Sequence, residues 1–369
     1  MPAPIRTLRR RALALCALAI AACLLLLLST RSAPPEAFHG DGGHSAAKAA
    51  QSARRLESSR SVANLRLYDP HGYSGRLEEM LEVPAGHYET LLQRLEAERN
   101  STDPKTIADN PFHLSPAENL AMRRFIRKTW MNDDIRRQLN LTLVFVIGLG
   151  NRTTQSLVLN EYKKHHDLLQ GEYVDSYRNM TIKAMSWVEW VQRRCAGARH
   201  VLKADDDTMV NVRAFLPLLL DWQRRRLLPW NRLVCFWAVR WKVSRDPKLK
   251  WFISKSEYGK SNTWPPFCRG AVYVLSVELL KPLQLASQLV PHIWMDDVYV
   301  TGLLTEKLNA VLGSGEGSVG ALDIKKRMDF VSARRAVDRF LGDELLALMG
   351  WSDYRPYEAV WTRYNSRRP

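Results

Sequence analysis

Apolar positions are continuous from Ala12 to Leu28, with neither charge nor proline, and Arg6, Arg9, Arg10 and Arg11 stand before them. As a helix this run is about 26 Å long, short for an average bilayer and adequate for a thin one. The basic flank holds the amino terminus on the cytoplasmic side, which predicts a cytoplasmic tail over 1–11 and a transmembrane signal anchor over 12–28. The run exceeds the core of a cleavable signal peptide, and no small-residue cleavage pattern follows at once, so an uncleaved anchor is expected. From Ser32 to about Arg60 the chain is small, polar and rich in Ala, Gly and Pro, a composition that buries no core and reads as a spacer. Between Arg76 and Arg99, Tyr88, Leu91, Leu92 and Leu95 recur at helical spacing, as a stem helix or as an accessory packed on the main domain. These patterns give a luminal stem over 29–110 and a luminal globular domain over 111–369.

Within the globular part, Ser115-Pro-Ala-Glu118 has the form of a capping box with proline at the first helical position. The helix it predicts carries Met122, Phe125, Ile126 and Thr129 on one face, with Arg123, Arg127 and Trp130 on the next stripe. Leu141 to Gly148 reads as a buried strand ended by glycines. A helix around Gln155 to Leu169, a strand near Tyr173, a helix from Thr181 to Arg194 and a strand from Val201 to Ala204 follow. Thr208 to Leu220 and Val298 to Lys307 read as further helices. This alternation predicts an α/β domain around a mostly parallel central sheet.

The chain has 369 residues, 46% hydrophobic and 25% charged, enough for one large domain with appendages. Its net charge of +16, Arg224-Arg-Arg226 and many tryptophans invite a nucleic-acid reading, which luminal topology argues against. Asn100-Ser-Thr, Asn140-Leu-Thr, Asn151-Arg-Thr and Asn179-Met-Thr are glycosylation acceptors and agree with a secretory-pathway lumen. Cys16 and Cys23 fall in the apolar run, leaving Cys195, Cys235 and Cys268; these allow at most one intrachain disulfide, and sequence does not say which.

Candidate chemistry concentrates in His200-Val-Leu-Lys-Ala-Asp-Asp-Asp-Thr-Met-Val-Asn211, where three adjacent carboxylates follow an apolar strand. Such anions repel one another unless a cation or backbone donors offset the repulsion. Magnesium and manganese favour oxygen ligands and are often held by one or two carboxylates, with phosphate oxygens and water completing the shell. A diphosphate ligand beyond the strand ends is therefore the expected partner, and helix capping by Asp205, Asp206 and Asp207 is the alternative. His165-His-Asp167 cannot chelate one ion easily, because helix neighbours point about 100° apart, and reads as surface.

Several blocks resemble the β1,3-glycosyltransferases of glycosyltransferase family 31, and they occur in that family's order. They are Arg123-Arg-Phe-Ile-Arg-Lys-Thr-Trp130, Phe145-Val-Ile-Gly148, Asp175-Ser-Tyr-Arg-Asn-Met-Thr-Ile-Lys183 and Lys203-Ala-Asp-Asp-Asp-Thr-Met-Val-Asn211. Further along come Trp264-Pro-Pro-Phe-Cys-Arg-Gly270, Tyr273-Val-Leu-Ser276 and Asp296-Asp-Val-Tyr299. The resemblance spans about Ala117 to Gly302. It implies a GT-A type, Rossmann-like nucleotide-sugar fold, a type II Golgi membrane protein with a luminal catalytic domain, a UDP-sugar donor, a divalent metal such as Mn2+, and inversion at the anomeric carbon.

By the same resemblance Asp207 is the chief metal ligand, with Asp205 as a second and Asp206 beside the nucleotide. Lys203, Lys183, Arg123 and Arg127 are charge candidates for the donor pocket, with internal ion pairs as their other use. Asp297 is the expected base, Asp296 the preceding acid, and helix capping the alternative for both. Trp264, Phe267 and Tyr273, with Gly270, either stack on sugar rings and admit a ligand or form a rigid core loop. Val243-Ser-Arg-Asp246, Lys250-Trp251 and Glu257-Tyr258 resemble the segment before this loop and are read as shaping the sheet edge. The sequence departs from the family at Val300-Thr-Gly302, with one extra residue before the glycine, and no histidine follows His292. Tyr299 resembles the galactosyltransferase versions, which points to β1,3 transfer of galactose from UDP-galactose to a glycan acceptor. N-Acetylglucosamine from UDP-N-acetylglucosamine is the alternative donor, and a non-catalytic glycan-binding protein the alternative function. Expected partners are the donor, the acceptor, the membrane and a second copy through anchor or stem.

Overall fold

The computed structural model describes residues 23–29, 66–68, 87–101, 117–195, 197–313, 318–324, 327–333, 335–350 and 354–367. The chain runs through β1 (Cys23–Ser29), β2 (Arg66–Tyr68), α1 (His87–Ser101), α2 (Leu120–Lys128), α3 (Asp133–Leu139), β3 (Leu141–Leu149), α4 (Arg152–His165) and β4 (Leu168–Val174). It continues with α5 (Met180–Arg194), β5 (Ala198–Asp205), β6 (Thr208–Val210), α6 (Val212–Arg224), β7 (Arg232–Cys235), β8 (Ala238–Val239), β9 (Phe267–Cys268) and β10 (Val272–Ser276). Then come α7 (Leu280–Ser287), α8 (Asp296–Val298), a π-helical turn (Tyr299–Leu303), α9 (Leu304–Leu312) and β11 (Gly320–Asp323). The last elements are β12 (Met328–Phe330), α10 (Ala336–Leu341), β13 (Ala347–Met349) and α11 (Arg355–Ser366).

The α/β class holds, but the central sheet is mixed where a mostly parallel one was expected. Its order is β2-β11-β7-β10-β5-β1-β3-β4. β3 with β4 and β7 with β11 pair in parallel, whereas the other neighbouring pairs are antiparallel. The reason is that β1, β2 and β10 are interleaved against the direction of the rest.

Alternation along the inner strands builds one core on each face of the sheet. Leu143, Phe145 and Ile147 of β3, Leu202 and Ala204 of β5, and Val272 and Val274 of β10 face Phe125, Ile126, Phe215 and the C-terminal helices. Val144, Val146, Val201, Tyr273 and Leu275 face the other way, against Trp187, Val188, Leu280 and Leu304. Lys203 lies between Leu202 and Ala204 and so belongs to this second face, where its Nζ sits 5.6 Å from the centre of the Tyr273 ring.

Residues 12–22 of the expected anchor lie outside the described residues. Cys23–Ser29 form β1, which pairs antiparallel with β3 on one side and β5 on the other. A short apolar run cannot be told from a strand by periodicity, and this one lies between β5 and β3 in the sheet. Among the described residues no helix is long and apolar enough to cross a membrane. The alternative left open for the stem is resolved at α1: Leu91 and Leu95 are wholly buried, and Arg94 donates to Val311 O at 3.0 Å.

Helix starts differ from the expected ones where polar side chains found other work. Ser115 and Pro116 lie outside the described residues, and α2 begins at Leu120, not after the capping box. Glu118 instead accepts from Thr154 Oγ1 at 3.5 Å, and Asn119 donates to Asp206. Thr208–Val210 is strand rather than helix, because these residues pair with β13. The helix starts at Val212, with Asn211 Oδ1 accepting from Ala214 N at 3.1 Å. The extra residue before Gly302 is absorbed as the π-helical turn, a wider turn that accommodates one added residue.

Cys235 and Cys268 form the disulfide, with Cα atoms 5.1 Å apart, and Cys195 is free. The bridge closes a loop over a sequence separation of 33 residues. The double variant Cys235→Ser/Cys268→Ser is expected to lose about 4 kcal/mol of stability by the loop-entropy account, read as a lower denaturation midpoint.

Candidate active site

β5 ends at Asp205 and hands the chain to a tight turn, so Asp205, Asp206 and Asp207 stand together at the carboxyl end of an inner strand. Each is compensated differently. Lys203 Nζ donates to Asp205 Oδ1 at 2.6 Å, and Asp206, 2% exposed, accepts from the Asn119 side chain. For Asp207, no hydrogen bond or close ion pair to the carboxylate is present among the described residues. Burial, then the charges of Asp205 and Asp206, push its pKa well above the usual carboxylate range, and Lys203 and Lys250 only temper the effect. Burial likewise raises Asp205 against the pull of Lys203.

The backbone of Asp207 is held by the C-terminal region. Gly350 N donates to Asp207 O at 3.0 Å, and the Tyr357 hydroxyl donates to the same oxygen. Tyr364 donates to Asn211 Oδ1 at 2.7 Å and Asn211 to Asp343 at 2.7 Å. The tail, without a motif of its own, thus braces the acid turn.

Asp297 approaches from α8. Its Oδ2 accepts from Gly270 N at 3.0 Å and its Oδ1 from Val298 N at 2.8 Å, while Thr301 donates to its carbonyl at 2.6 Å. Burial, then the neighbouring Asp296, raise its pKa to about 7, where a general base is most effective. Lys203 joins the two acid groups: besides Asp205 it donates to Gly270 O at 2.5 Å and lies 3.5 Å from Asp296 Oδ2. One buried ammonium thus organises the turn, the glycine and the helix start.

Gly270 is needed for close approach. A Cβ there would stand 3.1 Å from both Cβ and Oδ2 of Asp297, tighter than ordinary contacts allow. Gly270→Ala is expected to lower kcat about tenfold to a hundredfold by displacing the base, with nucleotide affinity retained; steady-state kinetics beside a nucleotide titration reads the split.

Other expected site residues go elsewhere. Arg123 is wholly buried and donates to Glu161 and to Ala117 O, and Arg127 pairs with Glu161 at 2.7 Å and with Asp167 at 2.7 Å. Both guanidiniums pair with internal acids, the other use expected for them. Asp167, read as surface, is buried in that network. Trp264 is 4% exposed and packs on the Tyr258 ring at 4.4 Å, which makes it core loop rather than sugar platform. Lys183 is buried within the electrostatic reach of Asp175 and Asp205. Burial raises Asp175 to about 7 despite that lysine.

Among the described residues, no group of three or more His, Cys, Asp or Glu side chains is arranged to hold an ion. The arrangement instead fits a cation with few protein ligands, since a divalent charge would offset the burial and the neighbouring acids that raise Asp207.

Comparison with known proteins gives the family. The family described as Galactosyltransferase matches residues 121–312, from α2 to the end of α9. Beta-1,3-galactosyltransferase 5 of Pan paniscus is 35% identical over 200 residues, 53% of this chain and 63% of that protein. The Homo sapiens protein of that name is 35% identical over 200 residues, 53% of this chain and 61% of that protein. Beta-1,3-galactosyltransferase 2 of Homo sapiens is 32% identical over 190 residues, 50% of this chain and 44% of that protein. The chain thus covers less than two thirds of the length of each of these relatives. With its matched segment holding both the acid turn and the Asp297 helix, the chain belongs to the galactosyltransferase family.

Proposed function

We propose that this domain transfers galactose from UDP-galactose to a hydroxyl of a glycan in β1,3 linkage, with inversion. The observation that carries the reading is the Lys203 junction, which sets an acid turn suited to a diphosphate beside a carboxylate poised as a base. The relatives' names supply the sugar and the linkage. The mixed sheet with its acids at a strand end fits a GT-A type nucleotide-sugar fold.

Asp297 takes the proton of the acceptor hydroxyl; that oxygen forms the new bond to the anomeric carbon from the face opposite the phosphate. The old carbon–oxygen bond breaks, and its electron pair leaves on UDP. Gly270 N–H and Val298 N–H aim the carboxylate. Asp207, with Asp205 beside it, would hold a divalent ion, Mn2+ in our reading, that stabilises charge on the departing diphosphate as a Lewis acid. Lys203 and Lys183 add fixed positive charge on the donor side.

A luminal Golgi setting belongs to the same proposal, supported by Arg6 to Arg11, the apolar run and the sequons. Asn140 and Asn151 are exposed in the fold. Anchoring through 12–28 and the β1 strand are alternative uses of Cys23–Leu28, as is dimerisation through the anchor. The test is a donor screen of the full-length chain with UDP-galactose and UDP-N-acetylglucosamine, with and without manganese, followed by linkage analysis. β1,3-Linked galactose is expected; a different product sugar replaces that donor, and no product from any donor removes the activity.

A further inference from the structure

Beside the acid turn an exposed aromatic shelf is built from residues that the proposed chemistry does not use. Trp251 is 51% exposed, yet its indole is not free to turn: Nε1 donates to the Tyr177 hydroxyl at 2.8 Å. Tyr177 in turn packs on Trp294 with ring centres 5.0 Å apart, and Arg178 lies over the Trp294 ring at 4.8 Å. Lys250 Nζ caps the Tyr177 ring at 4.5 Å. An indole this large, held in one orientation with half of its surface bare, is a platform rather than a scattered surface residue.

Two links tie the shelf to the reacting centre. Trp294, on which Tyr177 packs, stands three residues before Asp297, and Tyr177 lies in the field of Asp297, then Asp296 and Asp205. The shelf therefore flanks the base. The loop that carries Trp251 is stapled at its ends by the Cys235–Cys268 disulfide, which limits how far the platform can move.

We infer that Trp251, oriented by Tyr177, is the stacking platform for the acceptor sugar, a hexopyranose that lays its C–H face on the indole and points a hydroxyl at Asp297. The inference rests on the transferase reading above and names the side of the site that selects the acceptor. Hexopyranoses suit the platform because one face of the ring is lined with C–H groups while the hydroxyls lie at its rim, free for Lys250 and the base. Tyr177 is a positioning residue, acting through the indole.

The experiment compares wild-type, Trp251→Ala and Trp251→Tyr full-length protein. Trp251→Ala is expected to raise the acceptor KM about tenfold while the UDP-galactose KM stays within about twofold, and Trp251→Tyr to recover most of the loss. An unchanged acceptor KM, or equal rises for donor and acceptor, overturns the inference. Binding is read separately by saturation-transfer NMR with methyl β-galactoside and methyl β-N-acetylglucosaminide in the presence of UDP and manganese. A signal in wild type that Trp251→Ala loses supports the platform even without turnover, in which case only the transferase reading falls. No signal for either glycoside in wild type, or one that Trp251→Ala retains, overturns the platform.

Discussion

Asparagine at position 297 is expected to lower kcat for transfer about a thousandfold, with UDP affinity unchanged, because general-base assistance is worth about that much. Asn has the same shape but a single acceptor oxygen, so only one of the Gly270 and Val298 amide contacts survives, and the proton acceptor is lost. The pH dependence follows from the raised pKa of about 7: the base must be ionised, so wild-type kcat/KM falls about tenfold per pH unit below that value and levels above it. Stability runs the other way. A carboxyl whose native pKa is raised favours the protonated fold, so its contribution is lost as pH rises from about 4 to about 7, at about 1.4 kcal/mol for each pH unit crossed. The variant should therefore show a flatter stability profile over that window. Wild-type turnover in Asp297→Asn would remove this residue from the mechanism.

Asp207→Asn is expected to abolish manganese-dependent UDP binding and cut transfer by at least about a hundredfold, the scale of losing a Lewis-acid contact to a developing anion. The same change should raise the melting temperature of the metal-free protein at neutral pH, since this buried carboxylate is repelled by Asp205 and Asp206. The two readouts move in opposite directions, which separates a ligand from a fold residue. Calorimetry of UDP with and without manganese, beside thermal melts, measures both; unaltered binding would reassign the side chain.

The acid trio and Asp297 are legible in the sequence because their carboxylates adjoin recognisable elements, a strand end and a short helix start. Arg123 and Arg127 mislead because their partners, Glu161 and Asp167, are 38 and 40 positions away. Sequence spacing says nothing of such pairs. The antiparallel members of the sheet escape for a related reason: β10 and β1 enter by long-range pairing, and local pattern records no direction. Trp251 is visible beside Lys250 but reads as sheet edge; its hydrogen bond to Tyr177 spans 74 positions. Tyr357 leaves no signal, since its role is to hold a carbonyl.

The bracing of Asp207 by Gly350 and Tyr357 has a temporal corollary during synthesis. Ribosomes deliver the aspartates long before the strand and helix that fix their backbone. Until those late residues emerge, the Asp207 carbonyl lacks both of these donors, so the turn is expected to take its final form only after the C-terminal strand and helix have folded.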